Sequence, residues 1–310
     1  TYNATNLTGV TALGLLEAYR DTQDPMYLSS AFEAANFIIT HLGAGATGTQ
    51  YETRTTAPDV IFLHRLSEVA GDSSFAERAR LEWLNLTEIW PAAADLDTSF
   101  RLMPRRSAWD MAFFLEAAYL SGDTVWADEA AAILADTTDD FYYGDDNYEW
   151  YALNLGGAVH ALVSCGYYPM YSDAITWLLS DLIDLIDDED GIGGYVDGAA
   201  YAVLAFKAVG GAANAYANDL GRWLARQQKD DGGWLEPDGD EFPESNGEAV
   251  RALASTIGKN VTQGKFKPAK GSNSSRRKLR YAGIARPFNE WNTTASPETG
   301  GSRKERVVDR

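Results

Sequence analysis

Thr11-Ala-Leu-Gly-Leu-Leu-Glu-Ala-Tyr19 and Met111-Ala-Phe-Phe-Leu-Glu-Ala-Ala-Tyr119 are two writings of one helix, far apart in the chain. Each run of small residues and leucine ends at a polar turn, through Asp21, Asp24 and Pro25 in the first case and Ser121-Gly-Asp123 in the second. A second helix follows each turn, with Leu28, Ala31, Ala35 and Ile38 on one face of the first and the stretch from Trp126 to Leu134 in the second. Helices of the first type begin near positions 8, 57, 108, 150, 196 and 245, a period of roughly 42–51 residues that marks an α-hairpin repeat. Ile175, Leu178, Leu179, Leu182 and Ile186 form the stripe of the fourth second-type helix.

The two helix types predict their own places. First helices carry Gly14, Ala18, Gly156, Gly157, Gly198, Ala199, Ala200, Ala202, Ala249 and Ala252, and small side chains let helices approach closely, as an inner ring requires. Second helices have distinct apolar and polar faces, suited to an outer ring. The expected fold is all-α, an (α/α)6-type toroid. Its sixth hairpin is incomplete, because helical periodicity stops after Ile257. The domain division is therefore 1–257 for the toroid and 258–310 for a basic tail, rich in Lys, Arg, Ser and Gly, expected to be disordered.

Charge separates the same two parts. Residues 1–257 hold 13 basic and 41 acidic residues, a net −28, whereas 258–310 hold 13 basic and 4 acidic, a net +9. In the acidic part only Lys207 and Lys229 are lysines. Such a surface stays hydrated in concentrated salt, where its self-repulsion is screened, and points to a salt-loving source. Nucleic-acid binding by the toroid is disfavoured, because phosphate contacts need positive charge. No apolar stretch is long enough to span a bilayer. The single Cys165 rules out an internal disulfide framework and a Cys-rich zinc site. Acceptor sequons at Asn3, Asn6, Asn85, Asn260, Asn273 and Asn292, beside a Thr1 start that suggests a processed N-terminus, predict an exported, extracellular or cell-surface glycoprotein.

Trp223-Leu-Ala-Arg-Gln227-Gln-Lys-Asp-Asp-Gly-Gly233-Trp234 resembles the QW motif of squalene cyclases and protein-prenyltransferase repeats, in which a Gln amide ties an outer helix to the turn before a Trp. Glu244-Ser-Asn-Gly-Glu-Ala-Val-Arg-Ala-Leu253 looks like the inner helix that follows. The resemblance implies the toroid scaffold and a structural turn, not a chemistry. Asp95-Leu-Asp97-Thr98 is similar to the Asp-x-Asp-Asp motif of class II terpene cyclases, in which an Asp protonates an alkene or epoxide. Thr98 replaces the last Asp, and those cyclases pair two toroids where this chain has one. The prenyltransferase zinc site is missing its His, since none follows Cys165. His41, His64 and His160 show no metal-ligand spacing, and no phosphate-binding glycine loop occurs, so neither metal nor cofactor is expected.

The segments entering the inner helices converge on one mouth of the ring and are rich in aromatic and charged residues, as a binding cleft requires. Asp59, Asp110 and Asp197 recur at the first turn of inner helices two, three and five, where an Asp either caps the helix or faces the cavity. The candidate acids are Asp110 and Asp97, and the candidate bases are Glu149 and Asp146. Tyr51, Arg54, Asp59, Arg101, Arg105, Trp109, Trp150, Asp197 and Trp234 are the candidate binding residues. Aromatic platforms with paired carboxylates suit a saccharide ligand, and the arginines suit a uronate-containing polysaccharide. A non-catalytic cell-surface interaction domain is the alternative, and a terpene-cyclase-like enzyme using Asp97 is the third reading.

Overall fold

The computed structural model describes residues 5–41, 56–100, 107–136, 148–187 and 189–256. Twelve α-helices account for most of them: α1 (Thr5–Thr22), α2 (Pro25–His41), α3 (Ala57–Ala70), α4 (Ser73–Ile89), α5 (Ala93–Phe100), α6 (Ser107–Ser121), α7 (Thr124–Ala135), α8 (Tyr148–Ser164), α9 (Ser172–Asp184), α10 (Val196–Val209), α11 (Asn214–Gln227) and α12 (Pro243–Thr256). The 258–310 segment lies outside the described residues.

Short polar turns reverse the chain between inner and outer helices, and their chemistry is local. Gly71 and Gly122 take left-handed backbone after α3 and α6, at φ of 68° and 82°, where other residues are strained. The next residue, Asp72 or Asp123, then caps the outer helix, accepting from Ser74 N at 2.9 Å or Trp126 N at 3.2 Å.

The inner helices are α1, α3, α6, α8, α10 and α12, each packed on the next, and α12 returns onto α1 to close the ring. Residues at like depth meet across every junction, so the six run parallel. Gly14 lies on Gly247, where an added Cβ would stand 2.4 Å from the Gly247 carbonyl oxygen, and Thr11 Oγ1 donates to Pro243 O at 3.1 Å. Gly156 gives equal room to the Tyr201 backbone, at 2.7 Å. Backbone-to-backbone approach of this kind needs glycine, which explains why the first-type helices are so rich in small residues. The sixth hairpin has its inner helix only among the described residues, and α11 of the fifth packs against that helix as well. The fold is the all-α toroid, closed among the described residues by the inner helix of its sixth unit.

The sequence reading places Asp95 and Asp97 in a connection; the structure adds α5 there, seated on α7 and α6 through buried Ala93 and Leu96. Eight residues with two apolar anchors are too short for a recognisable period. Outside the ring, Trp83, Trp90, Phe114 and Trp126 interlock edge-to-face and stacked, with centroids 5.2–6.3 Å apart. Two indole N–H groups are satisfied too: Trp83 donates to Asp123 and Trp126 to the Trp90 carbonyl. No helix among the described residues is long and apolar enough to cross a membrane.

Candidate functional site

Six parallel inner helices point their N-termini at the same mouth. Each helix end carries about half a positive charge, so acidic first turns are electrostatically matched to that rim. Asp59, Asp110, Asp197 and Glu244 occupy those turns. The three repeated aspartates nevertheless differ in what they do.

Asp59 is wholly buried, and its Oδ2 accepts from the Thr56 amide at 2.9 Å and the Thr56 hydroxyl at 3.0 Å. It closes the start of α3 and has no surface for a ligand. Burial pushes its carboxyl up to about 7, against the lowering effect of the Thr56 hydrogen bonds. Asp197 is also buried and accepts from the Gly198 amide at 2.6 Å, inside its own helix. At α6 a first-turn amide is held from another chain segment: the Trp109 amide donates to Asn154 Oδ1 of α8 at 3.0 Å. Asp110, the next residue, is half-buried at the rim.

Beneath the rim the lumen is filled with aromatic rings. Trp109, Phe113 and Tyr201 meet edge-to-face, with centroids 4.7, 6.0 and 6.2 Å apart. Below them a narrow cavity reaches Glu116, His160 and Arg251. Arg65 of α3 donates to Glu116 of α6 at 3.0 Å, and Arg251 of α12 lies 3.9 Å from the other Glu116 oxygen and 3.0 Å from His160 Nε2 of α8. Four inner helices are thus joined at one depth. Burial alone would raise the Glu116 carboxyl, but Arg251 and Arg65 hold it below its ordinary range. Burial, helped by Arg251, pushes His160 down to about 4, so it is a neutral imidazole accepting from the guanidinium. Sequence reading passed over this network, although Glu116 and Arg251 are single charges in runs of small apolar residues.

Other expected residues fall elsewhere. Trp234 is buried, its indole donating to Leu224 O at 2.8 Å and its amide to Asn246 Oδ1 at 2.8 Å, so it anchors the turn between α11 and α12 and presents no platform. Trp109 is equally a wall residue. Asp97 is half-buried on α5, while Asp95 accepts from the Ala92 amide and the Thr98 hydroxyl donates to Ala94 O, a local helix arrangement and not a dry acid site. Glu149 and Trp150 occupy the first turn of α8. Tyr51, Arg54, Arg101, Arg105 and Asp146 lie outside the described residues. Glu236, a charged residue of the mouth segments outside the candidate site set, is buried, and its Oε2 accepts from the Val196 amide at the start of α10 at 2.9 Å. Among the described residues no group of three or more His, Cys, Asp or Glu is placed to hold a metal.

No family model matches the sequence, and no curated protein is similar to it. The architecture is shared with glycoside hydrolases built as α/α toroids. The chain is similar to the GH76A α-1,6-mannanase from Salegentibacter sp. HEL1_6, at 14% identity over 83% of this chain and 89% of that one, with a TM-score of 0.51. An inactive variant of that enzyme in complex with α-1,6-mannotriose gives 15% identity, 82% and 88% coverage and a TM-score of 0.48. Identity this low establishes the fold alone. The finding corrects the resemblance to squalene cyclases and prenyltransferases, which rested on the Trp223–Trp234 turn and the helix after it. That turn is tied by Gln228 Nε2 to Gly232 O at 2.9 Å and by Lys229 N to Gly233 O, contacts that any hairpin junction of this shape can use.

Proposed function

We propose that the toroid mouth binds a saccharide chain and hydrolyses its glycosidic bonds, with Asp110 as the acid and Glu149 or Asp146 as its partner. The observation that carries this reading is the difference in exposure among the three equivalent aspartates. Asp59 and Asp197 are buried at their helix starts, whereas Asp110 is half-buried at the rim and keeps surface open to the mouth. Glu149 is the second residue of α8, the neighbour of α6, and Asp146 lies two residues before that helix in the sequence. Two carboxylates that work on a glycosidic bond stand roughly 5–9.5 Å apart, the separation this pair would need. Asp110 would protonate the leaving oxygen while its partner attacks, or activates water, on the opposite face of the sugar.

The mannanase likeness makes α-linked mannan the first substrate to try. Arg54, Arg101 and Arg105, on the connections entering α3 and α6, favour an anionic uronate chain as the second. We place the activity outside the cell, where polymeric saccharides and the sequon-bearing surface would meet.

The test is reducing-end release from α-1,6-mannan, other neutral glycans and polyuronates in molar salt. Asp110→Asn is expected to lower kcat/KM by about 10³-fold or more with unchanged circular dichroism. Binding by the wild type without cleavage would favour a non-catalytic surface domain. Neither binding nor cleavage across the panel would end the saccharide reading.

A further inference from the structure

On the ring face opposite the mouth, the turns from inner to outer helices are mostly short and built of polar or small residues: Gln23-Asp24, Gly71-Asp72, Gly122-Asp123 and Gly210-Gly-Ala-Ala213. The turn from α8 to α9 differs, reading Cys165-Gly-Tyr-Tyr-Pro-Met-Tyr171. It is rigidly built. Gly166 takes left-handed backbone at φ 83°, the Tyr167 amide donates to Leu162 O at 2.8 Å, and the Met170 and Tyr171 amides both donate to Tyr167 O at 3.1 Å. The Tyr167 hydroxyl donates to Asp128 Oδ1 of α7 at 2.6 Å, and its ring lies 6.3 Å from that of Tyr171, tilted by 33°. Val125, one turn before Asp128 on α7, is 79% exposed, and Met170 is 69% exposed. The two most exposed large apolar side chains among the described residues thus lie three positions from either end of one hydrogen bond.

Exposed apolar groups held this firmly lose little freedom when a partner covers them. Tyr and Met are enriched at the cores of protein interfaces, which a polar rim completes. Here the rim is anionic, with Asp128 and Asp173 exposed and Asp123 half-buried. Residues 107–206 hold 19 acidic residues and neither Lys nor Arg, while all 13 basic residues of 1–257 lie on either side of that stretch. Salt tolerance by itself would spread the shortage of cations evenly over the toroid. We propose that the α8–α9 turn, together with Val125, docks a cationic polypeptide segment of a partner protein. The segment lays aliphatic side chains on Val125 and Met170 and sets Lys or Arg against the tyrosine faces, Asp128 and Asp173. An anionic lipid surface is repelled by this rim, and a neutral glycan has no charge to answer it. Docking here leaves the mouth open and is independent of any glycosidase activity there.

The test is binding of a fluorescent amphipathic peptide of Lys and Leu to the full chain, followed by anisotropy in about 0.1 M NaCl. The same peptide with Glu in place of Lys, and α-1,6-mannotriose by calorimetry, are run beside it. Saturable one-to-one binding of the Lys peptide is expected. The double variant Val125→Ser, Met170→Ser changes only exposed side chains and should weaken binding about tenfold with unchanged Tm. Asp128→Asn with Asp173→Asn keeps an acceptor for Tyr167 and should weaken it about tenfold, an effect that shrinks in about 1 M NaCl. Glu77→Gln with Glu88→Gln, the same charge change at exposed positions of α4, should alter it less than about twofold. No saturable binding, equal binding by the Val125→Ser, Met170→Ser variant, an equal loss in the α4 control, or equally tight binding of the Glu peptide would overturn the proposal. Mannotriose binding abolished by the same Val125 and Met170 changes would overturn it too, and would assign the face to a saccharide.

Discussion

Asp59 shows how one residue type at one repeat position can be read two ways. Its carboxyl ionises near 3.8 in an unfolded chain and near 7 in the folded one. Below about pH 4 both states keep the proton; between pH 4 and 7 the unfolded chain loses it first, so folding stability falls as pH rises. The three-unit difference bounds the effect at roughly 4 kcal/mol. Asp59→Asn keeps an acceptor for Thr56 and should raise Tm at pH 8 while matching the wild type near pH 4, as followed by thermal melts across pH. His64 and His160 act in the opposite direction. Burial first, and nearby arginines second, push both to about 4, so the stability of the neutral forms is complete above about pH 6.5 and lost as pH falls toward 4. His160→Gln should make acid unfolding shallower in that window, at some cost at neutral pH from the weakened Arg251 contact.

At the scale of elements, ring closure depends on the glycine contact between α1 and α12. In an exposed helix Gly→Ala stabilises by about 1 kcal/mol. At Gly247 the new methyl would stand 2.6 Å from the Thr11 Cα, a backbone atom that cannot turn away. Gly247→Ala is therefore expected to destabilise by about 2–3 kcal/mol, with Gly71→Ala, which meets nothing within 4 Å but has a left-handed backbone, losing about 1. Urea titration distinguishes them, since only Gly247→Ala should loosen the α1–α12 junction in hydrogen exchange. The repeat made these helices legible, with the observed inner helices starting within three residues of the expected positions. It could not reveal α5, nor the hold of Asn154 on the first turn of α6, because that partner is 45 residues away and its side chain reads as one more polar residue in a small-residue helix.

For the whole molecule, the net −28 of residues 1–257 predicts salt-dependent stability. Raising NaCl from 0.1 to about 1 M shortens the screening length from about 10 to 3 Å and should raise Tm by several degrees, measured by differential scanning calorimetry. The Arg65–Glu116–Arg251–His160 network is buried and should contribute little to that rise. Charge balance, the hairpin period and the small-residue helices were open to reading from the chain itself, because they are local or statistical properties of the residues in order. So was the convergence of the inner-helix N-termini on one mouth, which follows from parallel inner helices. Only the tertiary structure separated Asp59 and Asp197 from Asp110, turned Trp234 from a candidate platform into an anchor, and brought Arg65, Glu116, His160 and Arg251 from four helices to one depth. Each of those outcomes depends on which atoms of distant segments come within hydrogen-bond reach after the ring closes, and a repeat sequence specifies the ring without specifying which side chains meet across it.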